Sequence, residues 1–155
     1  MRQLPEAGFR GPQVCSIVGI TYRQLDYWTR TGLVRPSVAE ANGSGTQRRY
    51  SFRDLVELKV IKQMLDAGIE LRSARKAIES LRAYDKDPAS ARLVIDGASV
   101  MLAESDEQVI DLVRRGQGVL SVVAIEPLEA TVTDAVRAAG DTEVAPTRAR
   151  RSAAR

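Results

Sequence analysis

Apolar positions recur with helical spacing through the first half of the chain and change to short apolar runs in the second. Val14, Ile17 and Val18 share one face of a helix expected to start after Gly11, with Pro12 at its first position and Gly19 at its end. Thr21 is placed to cap a second helix running to about Thr31, with Leu25 and Trp28 three apart on its packing face. A short helix, a glycine turn and a second short helix make a helix-turn-helix. Leu55, Leu58, Ile61 and Leu65, with Phe52 one turn before them, predict a third helix ending at Gly68. Leu71, Ala74, Ile78 and Leu81 predict a fourth, from about Leu71 to Ala83. Residues 1–10 show no such period and are expected to form a flexible arm.

Asp87-Pro88 breaks the helical pattern. Beyond it, Arg92–Ile95 and Ser99–Leu102, joined through Asp96-Gly97, predict a β-hairpin. Ser105 and Gln108 form a capping box for a helix ending near Arg115, with Val109, Leu112 and Val113 inward. After the loop Gly116-Gln117-Gly118, residues 119–125 read VLSVVAI, an apolar strand. Residues 129–139 suit a last helix or strand, and the small, polar and basic residues 140–155 read as a disordered tail. The expected fold is mainly α, and α+β overall. A four-helix winged helix-turn-helix spans 11–84, and a small α+β unit spans 89–139. That unit is thin for a core of its own, so it is expected to bury its surface against a second copy and act as the dimerisation and effector domain.

Composition narrows the chemistry. A 44% hydrophobic content suffices for a packed core, and no apolar run approaches the roughly 18 residues that span a bilayer. The start of the chain has no apolar signal segment, and Cys15 is the single cysteine, which together predict a cytoplasmic protein. There is no histidine, so histidine-based acid/base catalysis is excluded and zinc would find a poor ligand set. No enzyme, metal site or cofactor is predicted. The net charge of +3 is unevenly spread. Residues 1–84 hold 14 Lys+Arg against 8 Asp+Glu, residues 85–140 hold 5 against 10, and residues 141–155 hold 4 against 2. A basic front half and an acidic middle predict that the front half alone meets a polyanion.

The basic residues gather around two stretches. Residues 21–34, TYRQLDYWTRTGLV, form the second helix and its exit. Residues 46–52, TQRRYSF, follow Pro36 and the turn sequence Asn42-Gly43-Ser44-Gly45, as the return strand of a hairpin would. With Arg48, Arg49 and Tyr50 on that strand, the hairpin reads as a wing beside a recognition helix: two guanidiniums for phosphates and a tyrosine able to pack or hydrogen-bond. A solvated basic loop is the plainer alternative.

Over roughly residues 11–83 the chain resembles the DNA-binding domain of the MerR family of bacterial transcription regulators. Thr21, Arg23, Leu25, Tyr27, Trp28, Arg30, Gly32 and Leu33 match the family's recognition helix in order, and Arg48, Arg49, Tyr50 and Leu55 fill the wing and the next helix. The resemblance implies that Thr21, Tyr22 and Arg23 enter the major groove, Tyr27 and Arg30 lie near phosphates, and Arg48, Arg49 and Tyr50 make the wing contacts. The chain departs from the family in two places. Asp26 stands where a basic residue is common, and is expected to hold Arg23 or Arg30, or to accept from a cytosine amine. After Ala83 there is no long heptad helix for a coiled-coil dimer, so the chain looks similar to an actinobacterial-type branch with a small α+β C-terminal unit.

The expected function is therefore a dimeric, sequence-specific transcription regulator. It would bind double-stranded DNA at a near-palindromic promoter site and distort the promoter for RNA polymerase, as family members commonly do while others repress, and the sequence does not decide between activator and repressor; no residue set identifies an effector, and no membrane partner is expected. The alternatives are an excisionase-like or terminase-like architectural winged-helix protein, which would share the fold but bend DNA for recombination or packaging, and a protein-interaction module acting through the acidic C-terminal unit.

Overall fold

The computed structural model describes residues 8–39, 48–96, 99–115 and 120–153. The proposed wing tip at 42–45, the arm before Gly8, Gly97 of the hairpin turn, the 116–118 loop and the inward side chain of Val113 lie outside what is described.

After Gly8, a short strand β1 (Phe9–Arg10) runs into α1 (Gly11–Val18). Pro12 sits in the first turn of α1, and the Arg10 N–H donates to the Gln13 side chain at 3.0 Å. In α2 (Tyr22–Arg30) the expected cap is present in both directions. The Gln24 N–H donates to Thr21 Oγ1 at 3.1 Å, and the Thr21 N–H donates to Gln24 Oε1 at 3.0 Å. The helix ends where Gly32 takes a φ of +78°, which lets the Leu33 N–H return to the Trp28 carbonyl at 3.0 Å.

Strand β2 (Arg49–Tyr50) pairs antiparallel with β1, Phe9 opposite Tyr50 and Arg10 opposite Arg49. Ala39 bridges to the other edge of β2, with the Arg49 N–H donating to the Ala39 carbonyl at 2.8 Å. The end of the expected arm is therefore a strand, and Phe9 is buried in the core. Gly8 permits this close approach: at its φ of +74°, a Cβ would lie 2.8 Å from the Tyr50 carbonyl oxygen.

Helix α3 (Phe52–Asp66) is capped by Ser51, whose hydroxyl accepts from the Asp54 N–H at 3.1 Å. The buried Asp54 carboxylate in turn accepts from the Ser51 and Ser37 N–H groups, each at 2.8 Å, and from the Ser37 hydroxyl at 2.7 Å. This ties the segment after α2 to the start of α3. Helix α4 (Leu71–Ala83) packs along α3 through Ala74, Ala77, Ile78 and Leu81.

A 3-10 turn (Pro88–Ser90) leads into a three-stranded antiparallel sheet formed by β3 (Arg92–Asp96), β4 (Ser99–Ala103) and β5 (Leu120–Ala124). β3 lies in the middle, with Leu93 opposite Leu102 and Val123. Helix α5 (Asp106–Arg115) packs on β3 and β4, and α6 (Ile125–Ala153) follows β5 directly.

Two expectations change here. The α+β unit does not leave its apolar face for a second copy to cover. β4 packs on α4, α6 packs on α1 and α3, and one buried cluster runs from Phe9 through Leu55 and Leu93 to Val132. Helix α3 is buried beyond its expected stripe, at Val56, Val60 and Met64 as well, as suits a helix that packs on α1, α4 and α6. The second change is at the end of the chain, where the backbone is helical through Ala153 over most of the stretch expected to be a disordered tail. The α6 residues up to Ala139 that pack on the core provide a template from which the helix continues, although Gly140 and Pro146 lie in its path.

Candidate nucleic-acid interface

The first turn of α2 is the most outward-facing part of the candidate site. Thr21, Tyr22 and Arg23 are all exposed, Tyr22 to 64%. The Tyr22 ring lies over Gly11, where an added Cβ would meet it at 3.3 Å. Thr21 uses its hydroxyl as the helix cap, which fixes the orientation of the turn. Arg23 makes no ion pair among the described residues, so its guanidinium is available to a ligand. Tyr27 and Arg30, one and two turns further on, are exposed as well. The back of the same helix is buried through Leu25 and Trp28, against α1.

Asp26 resolves the open question about its role. Its carboxylate takes Arg30 Nε at 2.8 Å on one oxygen and Arg48 Nη1 at 2.8 Å on the other. The Arg30 contact is a local i,i+4 pair, whereas the Arg48 contact links the helix to the strand that follows the proposed wing. The Arg48 hydrogen bond, seconded by Arg30, holds the Asp26 carboxyl below its ordinary range and keeps it ionised. Arg23 is not its partner.

Tyr50 stands apart from the other seven predicted residues. Its ring is 1% exposed and belongs to the core, and its hydroxyl shares a 2.9 Å hydrogen bond with Thr29 on α2. Burial raises the pKa of that hydroxyl, which therefore stays protonated. Tyr50 thus joins the strand to the helix from inside, as Arg48–Asp26 does from outside. Arg48 and Arg49 are half-buried at the base of the proposed wing. The structure therefore brings Arg30 and Arg48 together around Asp26, keeps Thr21, Tyr22, Arg23 and Tyr27 along the exposed face of one helix, and withdraws Tyr50 into the interior.

Sequence reasoning missed Thr29 as the partner of Tyr50, and it missed the hold that α4 has on the exit of α2. Arg82 donates to the Leu33 carbonyl at 3.1 Å and pairs with buried Glu57, and Arg75 reaches the Thr31 carbonyl at 3.4 Å. Only the helical spacing of Asp26 and Arg30 was available as a sequence signal for any of these ties.

The comparisons with known proteins agree with this geometry. Residues 9–81 match the family described as MerR HTH family regulatory protein. Over 131 residues the chain is 47% identical to a protein of Mycobacterium bovis described as an uncharacterized HTH-type transcriptional regulator, covering 82% of this chain. Proteins of the same description from two Mycobacterium tuberculosis strains match at the same identity and coverage. The aligned part spans 58% of the length of these relatives. Among the described residues no helix is long and apolar enough to cross a membrane. With its capped, exposed α2 tied to the strand that follows it, the stretch 9–81 is a helix-turn-helix domain of the MerR family.

Proposed function

We propose that the protein is a cytoplasmic, homodimeric, sequence-specific regulator that binds a near-palindromic promoter site and distorts it for RNA polymerase. Its DNA-binding part is a winged helix-turn-helix. The first turn of α2 reads base edges in the major groove through Arg23, with Thr21 and Tyr22 positioning it. Tyr27 and Arg30 lie along the phosphates, and Arg48 and Arg49 serve the base of the wing. Tyr50 acts from inside by holding the wing strand to α2. The observation that carries this reading is the exposed Arg23 beside a capped turn, on a helix fixed to its neighbouring strand at two points. A flexible basic loop would need no such fixing. A guanidinium on a fixed backbone can make the bidentate contact to guanine that separates one base pair from another.

The dimer surface is proposed on the outer side of the C-terminal unit, where Ile110 of α5 and Val122 of β5 are 49% and 44% exposed. Two copies would then set two α2 helices in successive major grooves.

The test selects duplexes from a random pool with the wild-type protein and then compares Arg23→Ala on the selected and on random DNA. The expected loss on the selected duplex is about 1–3 kcal/mol, with little change on random DNA. Equal losses on both would remove the base-reading role of Arg23.

A further inference from the structure

A concavity of about 260 Å³ opens between the exit of α2 and the base of the proposed wing. Its lining includes Thr29, Arg30, Gly32, Arg35, Pro36 and Arg48. Three guanidiniums therefore border one hollow, and Asp26, paired with two of them, neutralises one unit of charge. Asp26 occupies only Nε of Arg30 and Nη1 of Arg48. A guanidinium has five N–H donors, so each of these arginines keeps donors for a second anion.

Arg35 is the unassigned member. It is exposed and makes no ion pair or hydrogen bond among the described residues. Its backbone is firmly held, because Val34 and Pro36 on either side are buried and the next residue, Ser37, is bound twice to the Asp54 carboxylate. The Leu33 carbonyl, two residues before it, is held by Arg82. A cation with no partner among the described residues, on a backbone this constrained and beside two arginines already oriented by a carboxylate, is arranged to take an anion. A space of this size admits a phosphate together with several waters, each of which fills about 30 Å³. Arginine suits a phosphate better than lysine does, because its planar fork gives two parallel hydrogen bonds.

We propose that this hollow seats one phosphodiester of the DNA backbone, gripped by Arg35 together with the free donors of Arg30 and Arg48. Arg35 is then a DNA-contact residue that belongs neither to α2 nor to the wing strand. It anchors the duplex at the far end of α2 from Arg23, so that a base contact at one end and a phosphate contact at the other fix the angle of the helix in the groove. This inference rests on the DNA-binding reading above.

The test uses the full chain and the duplex selected by the wild-type protein, with a set of duplexes in which single phosphodiesters are replaced by neutral methylphosphonates. In the wild type, one position per half-site is expected to weaken binding through this hollow, and in Arg35→Ala that position should become silent. The slope of log affinity against log salt should become shallower by about 0.9 per bound chain, so that the affinity lost between 50 and 200 mM salt shrinks about 3.5-fold per chain. An unchanged thermal midpoint would show that the variant is folded. If the wild type binds DNA but Arg35→Ala keeps both the full slope and every methylphosphonate penalty, the phosphate seat is wrong and the DNA-binding reading stands. If the wild type binds no duplex, both fail. A third arm titrates inorganic phosphate and follows the arginine Nε–H signals by NMR. Saturation of the Arg35 signal at micromolar phosphate would assign the hollow to a free phosphorylated molecule and overturn the proposal, whereas a response only at many millimolar is the expected result.

Discussion

Arg82→Ala tests the way α4 holds the exit of α2. Arg82 Nε and Nη2 meet the two oxygens of Glu57 at 3.2 and 3.3 Å, and Nη2 also supports the Leu33 carbonyl just beyond the end of α2. The Glu57 side chain is 7% exposed and that of Arg82 is 32% exposed. Removing the arginine leaves a buried carboxylate with its charge unpaired. Such losses cost about 3–5 kcal/mol, and the partial exposure of Arg82 puts this one at the low end, about 3 kcal/mol. For a chain of this size that corresponds to a fall in Tm of about 6–12 °C. The loss must also depend on pH. Burial raises the pKa of Glu57 above its ordinary 4.5, against the opposing pull of Arg82. Without Arg82 it rises further. A carboxyl whose folded pKa is raised stabilises the fold most below its unfolded value, and that contribution is lost as pH rises through the folded value. The deficit of the variant should therefore be small near pH 4 and fully developed at pH 7.5. Urea unfolding of both proteins at the two pH values measures it, and adding Glu57→Leu to the variant should abolish the difference. A deficit that is the same at both pH values, or below 1 kcal/mol at pH 7.5, would refute the reasoning.

Three further outcomes are expected. Tyr50→Phe should cost about 1 kcal/mol through the lost Thr29 bond while leaving DNA preference intact; an undiminished Tm with weakened DNA binding would instead make Tyr50 a surface contact. Asp26→Asn removes one negative charge beside Arg30 and Arg48, so affinity for random DNA should rise and the salt slope should steepen by about 0.9 per bound chain. Weaker binding to random DNA would show that orienting those arginines outweighs the charge that the carboxylate takes away. Ile110→Asp combined with Val122→Asp should give a folded monomer by sedimentation, and a dimer that persists would move the proposed interface elsewhere.

The parts of this fold that could be read from the sequence are those specified locally. Thr21 with Gln24 and Ser51 with Asp54 mark helix starts within four residues, Gly19 and Gly32 mark helix ends, and the apolar spacing of α1 and α4 needs only a few turns to register. The parts that escaped depend on distant partners. Phe9–Arg10 looked like a loose arm because its pairing strand lies some forty residues away. From the sequence Tyr50 is able to pack or to hydrogen-bond, and only the resemblance makes it a wing contact, because the hydroxyl that claims it, Thr29, is on another element. Asp26 was ambiguous for the same reason: its local partner Arg30 was among the candidates, and its distant partner Arg48, just before β2, was not. The thinness of the C-terminal unit was legible, but its packing on the front half was not, since α6 meets α1 and α3, and β4 meets α4, across long stretches of sequence.

Mapping the DNA bound by the protein across the genome of the cell that makes it tests the central claim most directly. A sequence-specific dimer with two α2 helices predicts discrete sites at promoters, each carrying two inverted half-sites at a fixed spacing set by successive major grooves. Diffuse occupancy with no shared sequence would contradict it, because the exposed face of α2 would then be holding phosphates without reading bases.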